Sequence, residues 1–115
     1  MLFYFCDFVM KIVNVDSVNP FDNPHGVEAK KIYDSEYCKT IFICLKPKQA
    51  LKLHTTPVDV FFYILEGRGN VVIGNEKQEV TRNLLIESPK GIPHLLENTG
   101  VGYFKFLVIK LLKTK

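Results

Sequence analysis

Residues 83–98 read NLLIESPKGIPHLLEN, and they constrain the fold more than any other part of the chain. Pro89-Lys90-Gly91 has the chemistry of a turn with positive φ at Gly91, since proline presets the first position and glycine carries no Cβ. With Pro93, that turn shapes the approach to His94. The apolar runs on either side are short and end in turn formers, which is the mark of strands. Asn98, at the end, is expected to tie a loop through side-chain hydrogen bonds.

The chain on both sides has the same texture. VNPFDNPHG (18–26) is rich in proline, asparagine, aspartate and glycine and reads as a loop. VEAKKIYDS (27–35) can form a strand with Val27, Ala29 and Tyr33 on one face, interrupted by Lys31. TIFICLKP (40–47) is a β-rich run stopped by Pro47, and KQALKL leads into His54. VFFYILE (60–66) follows, then GRGN, VVI (71–73), the tight turn GNE (74–76) and QEVT. After TGVG, the run YFKFLVIKLL (103–112) could be an amphipathic helix, but alternation of Phe104, Phe106 and Val108 favours a strand. About eight short strands with almost no helix predict an all-β sandwich or small barrel, and closure removes exposed edges. Within 60–65, Val60, Phe62 and Ile64 share one face and Phe61, Tyr63 and Leu65 the other. Both faces are apolar, so this strand is expected to face the barrel interior on one side and a packed neighbour, such as a second subunit, on the other.

Bulk properties exclude several classes. The 115 residues suit one compact domain, 47% are hydrophobic, and the net charge is only +3. The lysines are scattered and form no basic stripe, which argues against nucleic-acid binding. Cys6, Cys38 and Cys44 lack paired spacing, so buried reduced thiols and a cytoplasmic location are expected rather than disulfides or a zinc finger. The N-terminal MLFYFCDFVMK is apolar but too short to span a bilayer, which takes about 20 residues. It also lacks a basic leader and a cleavage site. Met10 is followed by what looks like a natural start, so residues 1–9 are expected to be an extension and 10–115 one barrel domain. An added edge strand or a dimer-contact arm is the alternative for 1–9. GRGN is no phosphate loop, because no Lys-Ser/Thr and no helix follow it.

Two segments stand out together. One is His54-x-Thr56, then Val60, then the strand to Glu66 and Gly67. The other runs from Asn83 through Pro89, Gly91 and His94 to Asn98. The pair resembles the two signature motifs of the cupin superfamily, over about residues 40 to 110, and TTPVDVFFYILEG with ESPKGIPH resembles small single-domain prokaryotic cupins. The second motif is nearly complete, with Asn83 at its opening glycine, a mild exchange because asparagine tolerates positive φ. The first has Lys48 at its opening glycine but keeps His54 and Gly67 at the right spacing. The resemblance implies an antiparallel double-stranded β-helix (jelly-roll) barrel and a homodimer.

In metal-binding cupins, two histidines and a glutamate of the first motif join the histidine of the second around one metal. Here His54 and His94 match the first and last ligands, Thr56 replaces the second histidine, and Val60 replaces the glutamate. A neutral hydroxyl is a poor transition-metal ligand and valine's side chain is none. Two histidines fall short of the three protein ligands typical of catalytic zinc. Weak candidates to complete a set are Asp59, if a bulge turned it inward, Glu87, reaching in from its strand, and His25, folding over the barrel mouth. The cofactor is therefore either none or a divalent transition metal. Without a metal, His54 and His94 are expected to hydrogen-bond to each other, to Thr56, or to ligand and water.

Three functions are open at this level. A binding module would hold a small polar molecule, such as a sugar or carboxylate, with His54, Thr56 and His94 orienting it and Phe62 as an apolar wall. A metal-dependent enzyme of the isomerase, epimerase or dioxygenase kind would use His54 and His94. A purely structural dimer would have no usable cavity.

Overall fold

The β-rich runs and the turns between them become nine strands and one 3-10 turn, Val15–Ser17, in a computed structural model that describes residues 9–113. The strands are β1 (Glu28–Asp34), β2 (Cys38–Leu45), β3 (Ala50–His54), β4 (Val60–Glu66), β5 (Arg68–Ile73), β6 (Glu76–Thr81), β7 (Leu85–Ser88), β8 (His94–Asn98) and β9 (Phe104–Leu111). They form two antiparallel sheets, ordered β1-β2-β9-β4-β7 and β3-β8-β5-β6. The chain thus crosses repeatedly between sheets, which is the double-stranded β-helix. The expected N-terminal extension, residues 1–9, lies outside the described residues except for Val9.

Alternation decides what fills the space between the sheets. Val60, Phe62 and Ile64 of β4 are fully buried, as are Phe104 and Phe106 of β9, Leu45 of β2 and Leu96 of β8. The edge-to-face pair Phe62–Phe106, with centroids 6.2 Å apart, anchors this core. Truncating Phe62 to alanine would cost about 3–5 kcal/mol. The outer face of β4 is different. Phe61, Tyr63 and Leu65 are only half-buried, and among the described residues the second sheet lies on the inner face alone. The covering neighbour expected there is not part of the described chain.

YFKFLVIKLL is a strand through Leu111, paired on both sides, with β2 and β4. That double pairing explains why the β-period wins over the helical one. In β1 the expected face breaks up. Val27 and Ala29 are buried, but Tyr33 is 56% exposed, because the register with β2 shifts between Lys31 and Tyr33. The bulge rotates the strand end outward. Cys44 is buried and Cys38 half-buried, both as free thiols. No helix among the described residues is long and apolar enough to cross a membrane.

The turns carry the strained backbone. Gly74-Asn75 closes the β5–β6 hairpin between Ile73 and Glu76, with Gly74 at φ 59°. Gly67 turns the chain from one sheet to the other at φ 80°, and a Cβ there would collide with the Tyr103 carbonyl oxygen. The two positions where the resemblance expects an opening glycine both keep the left-handed conformation without one, Lys48 at φ 70° and Asn83 at φ 72°. For asparagine this is mild, and the Asn83 Oδ1 also accepts the Tyr63 hydroxyl at 3.2 Å. For lysine it stores on the order of 1–2 kcal/mol. Lys48→Gly is therefore expected to raise stability by about 0.5 kcal/mol, the strain relief exceeding the added unfolded-state entropy. Lys48→Val should lose at least about 1 kcal/mol. Urea unfolding of both variants checks the opposite signs.

Candidate functional site

His54 ends β3, His94 begins β8, and the two are direct cross-strand partners. Their rings meet edge to face, with centroids 4.5 Å apart and planes at 87°, and the two Nε2 atoms are 3.2 Å apart. Each Nδ1 has its own partner: His54 Nδ1 lies 2.8 Å from the Lys52 carbonyl, and His94 Nδ1 lies 2.8 Å from Ser88 Oγ. The proton positions follow. A carbonyl only accepts, so His54 Nδ1–H donates to Lys52 and its Nε2 is the bare acceptor. His94 Nε2–H then donates to His54, and the Ser88 hydroxyl donates to His94 Nδ1.

His94 is 1% exposed. Burial is the largest cause that lowers its pKa, followed by the repulsion it would meet from His54, Lys110 and His25 in their protonated forms, and together they bring it to about 4. Ser88 is fully buried beside it, directly opposite Val60 in the β4–β7 pair. Phe62 packs edge-on beneath the His94 ring, with centroids 5.1 Å apart. Phe62 is thus the support of His94 and does not line the cavity above it.

His25 comes from the loop before β1, and that loop is folded around Asn23. The Asn23 Oδ1 accepts the His25 amide at 3.1 Å and its Nδ2 donates to the Val27 carbonyl at 2.8 Å. The His25 ring lands against His54, with centroids 5.0 Å apart, and its Nδ1 accepts the Lys52 amide at 2.9 Å. Burial first, and then His54, Lys52 and Lys110, lower its pKa.

A cavity of about 250 Å³ opens over His54, with Thr56 and His25 on its wall. Ile41, Ile43, Leu51 and Val108 are among its apolar walls. Lys110 also faces it, one inward step beyond Val108 on β9. Burial and the nearby charge of Lys39 lower the pKa of Lys110. Lys110 is the cross-strand partner of Val60, the residue standing where the resemblance expects a glutamate. Two larger recesses, of about 720 and 650 Å³, contain none of the three histidines.

The structure thus brings His54, His94, Thr56 and His25 together and leaves Asp59 and Glu87 out. Asp59 Oδ1 accepts the Lys90 amide at 2.8 Å, so it clamps the 89–91 turn instead of entering the barrel. Glu87 is exposed on the outer face, opposite Phe61. Ser88 and Lys110 are the additions that the motifs did not flag. Each occupies an inward position of its strand, and that alternation is the signal that could have found them.

These residues do not complete a transition-metal site. The separation of the two Nε2 atoms would suit a shared metal, but the remaining donors are missing. Val60 is apolar, the Thr56 hydroxyl donates to the Val58 carbonyl at 3.2 Å, and His25 spends its Nδ1 on Lys52. Among the described residues, no group of three His, Cys, Asp or Glu side chains is arranged to hold a metal ion. A cationic Lys110 on the cavity wall further disfavours a divalent cation.

The cupin domain family matches residues 41–110, and the chain belongs to that family. An uncharacterised protein of Methanocaldococcus jannaschii is 30% identical over 107 residues, with 85% of each chain covered. Among solved structures, a protein of Thermus thermophilus superposes with a TM-score of 0.77 at 26% identity, covering 89% of this chain and 97% of its own. A predicted oxalate decarboxylase of Thermotoga maritima gives a TM-score of 0.81 at 21% identity, covering 90% and 100%. The polyketide cyclase RemF of Streptomyces resistomycificus gives 0.78 at 22% identity, covering 91% and 81%. The last two likenesses define the fold alone.

Two measurements check the site. Nitrogen-15 NMR at neutral pH should find His54 protonated on Nδ1 and His94 on Nε2. Stability should also fall with acid through His94. Above pH about 6.5 neither folded nor unfolded chain protonates it, while below that the unfolded chain takes a proton that the folded chain refuses until pH about 4. Stability therefore drops as pH falls across that window, by on the order of 3 kcal/mol. His25 adds a smaller change of the same sign. Urea melts of wild type and His94→Gln should show a shallower slope in the variant.

Proposed function

We propose that this protein is a binding cupin that holds a small polar molecule with an apolar body in the cavity over His54, and does not turn it over. The observation that carries this reading is the cavity itself. It combines apolar walls with the convergent polar side chains of His25, His54 and Thr56. A purely structural role would give no reason to keep such a space open inside the barrel.

Binding is favoured over catalysis because both histidines of the pair are already engaged. His54 uses both ring nitrogens within the protein, and so does His94. Neither offers a free lone pair to abstract a proton. With Val60 and Thr56 at two of the ligand positions, the metal chemistry of the family has no complete set of donors here.

A library of small polar metabolites should contain compounds that raise the melting temperature of the wild type. Ile41→Trp, which fills the cavity from its rim, should abolish that response. Shifts that persist in Ile41→Trp, or a library without a single binder, would refute the reading. Elemental analysis of protein made without a chelating tag and then exposed to Zn²⁺, Fe²⁺ or Mn²⁺ should find well below one equivalent retained.

A further inference from the structure

We infer that the ligand of this cavity is a small carboxylate, whose charge is held by Lys110 with help from His25; the inference rests on the binding reading above and names its ligand class. It begins with the polar groups that the protein leaves unspent. His54 and His94 are saturated by Lys52, Ser88 and each other. Thr56 gives its proton to Val58. Asn23 is consumed by its own loop. His25 accepts the Lys52 amide on Nδ1, so its proton sits on Nε2, and that N–H has no partner among the described residues. The Lys110 ammonium, half-buried on the wall, likewise has no carboxylate and no acceptor among the described residues.

What remains is therefore donors without acceptors. The ionisable groups facing the cavity are His25, His54 and Lys110, with His94 behind His54, and no Asp or Glu lines it. Lys39 on β2, directly opposite Lys110, and Lys52 on β3 add positive charge from the neighbouring strands. An ammonium in this setting is stabilised most by an anion that accepts its hydrogen bonds. The walls of Ile41, Ile43, Leu51 and Val108 select the rest of the molecule, a compact branched or aromatic body. Lys110 stands across from Val60, so a fixed side-chain cation neighbours the position where a carboxylate would otherwise recruit a metal.

Matched acid and amide pairs test the charge at constant shape. Benzoate against benzamide and isobutyrate against isobutyramide would be titrated by calorimetry or protein NMR at pH 7. The wild type should prefer the acids by at least about tenfold. Lys110→Met, which keeps the shape and removes the charge, should erase the preference, while Lys39→Met should retain most of it. Lys110→Gln serves as a second charge-free variant should the first fail to fold. Amides that bind as well as acids would overturn the inference, and so would a preference that survives the loss of Lys110. If no acid of the series binds while neutral compounds from the metabolite library do, the ligand class is wrong and the binding reading stands. If nothing binds at all, both fall.

Discussion

His94 sits where the two sheets meet, almost without solvent, and a buried imidazole must pair both ring nitrogens or lose the hydrogen bonds it would make in water. Ser88 and His54 are the two partners that meet this demand, and the rest of the site is arranged around them. Ser88 must face inward from β7, which places Val60 across from it. His54 must stand directly across from His94, and it does so past a register shift that separates this pair from Leu51–Leu96 in the β3–β8 ladder. Once the Nε2 of His54 accepts from His94 and its Nδ1 donates to Lys52, the pair is complete without any third component. The same closure leaves the remaining polar groups of the cavity to the residues around the pair.

That arrangement gives a physical sense to the altered ligand positions. His54 at the end of β3, Thr56 in the loop that follows and Val60 at the start of β4 still mark out the barrel interior. Two of the three positions have lost donor chemistry. The charge at this place in the barrel has moved to Lys110, on the strand paired with Val60. A metal site needs negative or neutral donors around a mobile cation. This cavity has a tethered cation and apolar walls, which suits a different occupant.

Much of the architecture was legible in the residues. The alternation in 60–65 and 104–108 marked the core face correctly, because period 2 is a local property of an extended chain. The proline and glycine turn before His94 and the spacing of the two motifs placed both histidines at one point of one fold. Tyr33 escaped this logic, because a register shift is negotiated between two strands. Asp59 and Glu87 had the right chemistry for ligands, but one is bonded to the Lys90 amide and the other sits outward on β7. Lys48 shows the converse. Its left-handed backbone is demanded by the turn that leads into β3, and the fold imposes it despite the side chain.

By itself, then, the amino-acid sequence determined the strand pattern, the turn positions and the pairing of His54 with His94 in one barrel. These depend on local periodicity and on spacing along the chain. Only the tertiary structure decided which polar atoms find partners. Ser88 satisfies His94, His25 reaches across from a distant loop, and Lys110 faces the cavity without a counter-charge among the described residues. Hydrogen-bond satisfaction is a property of three-dimensional neighbourhoods, and these neighbours are brought together from separate strands and a loop by the closing of the barrel.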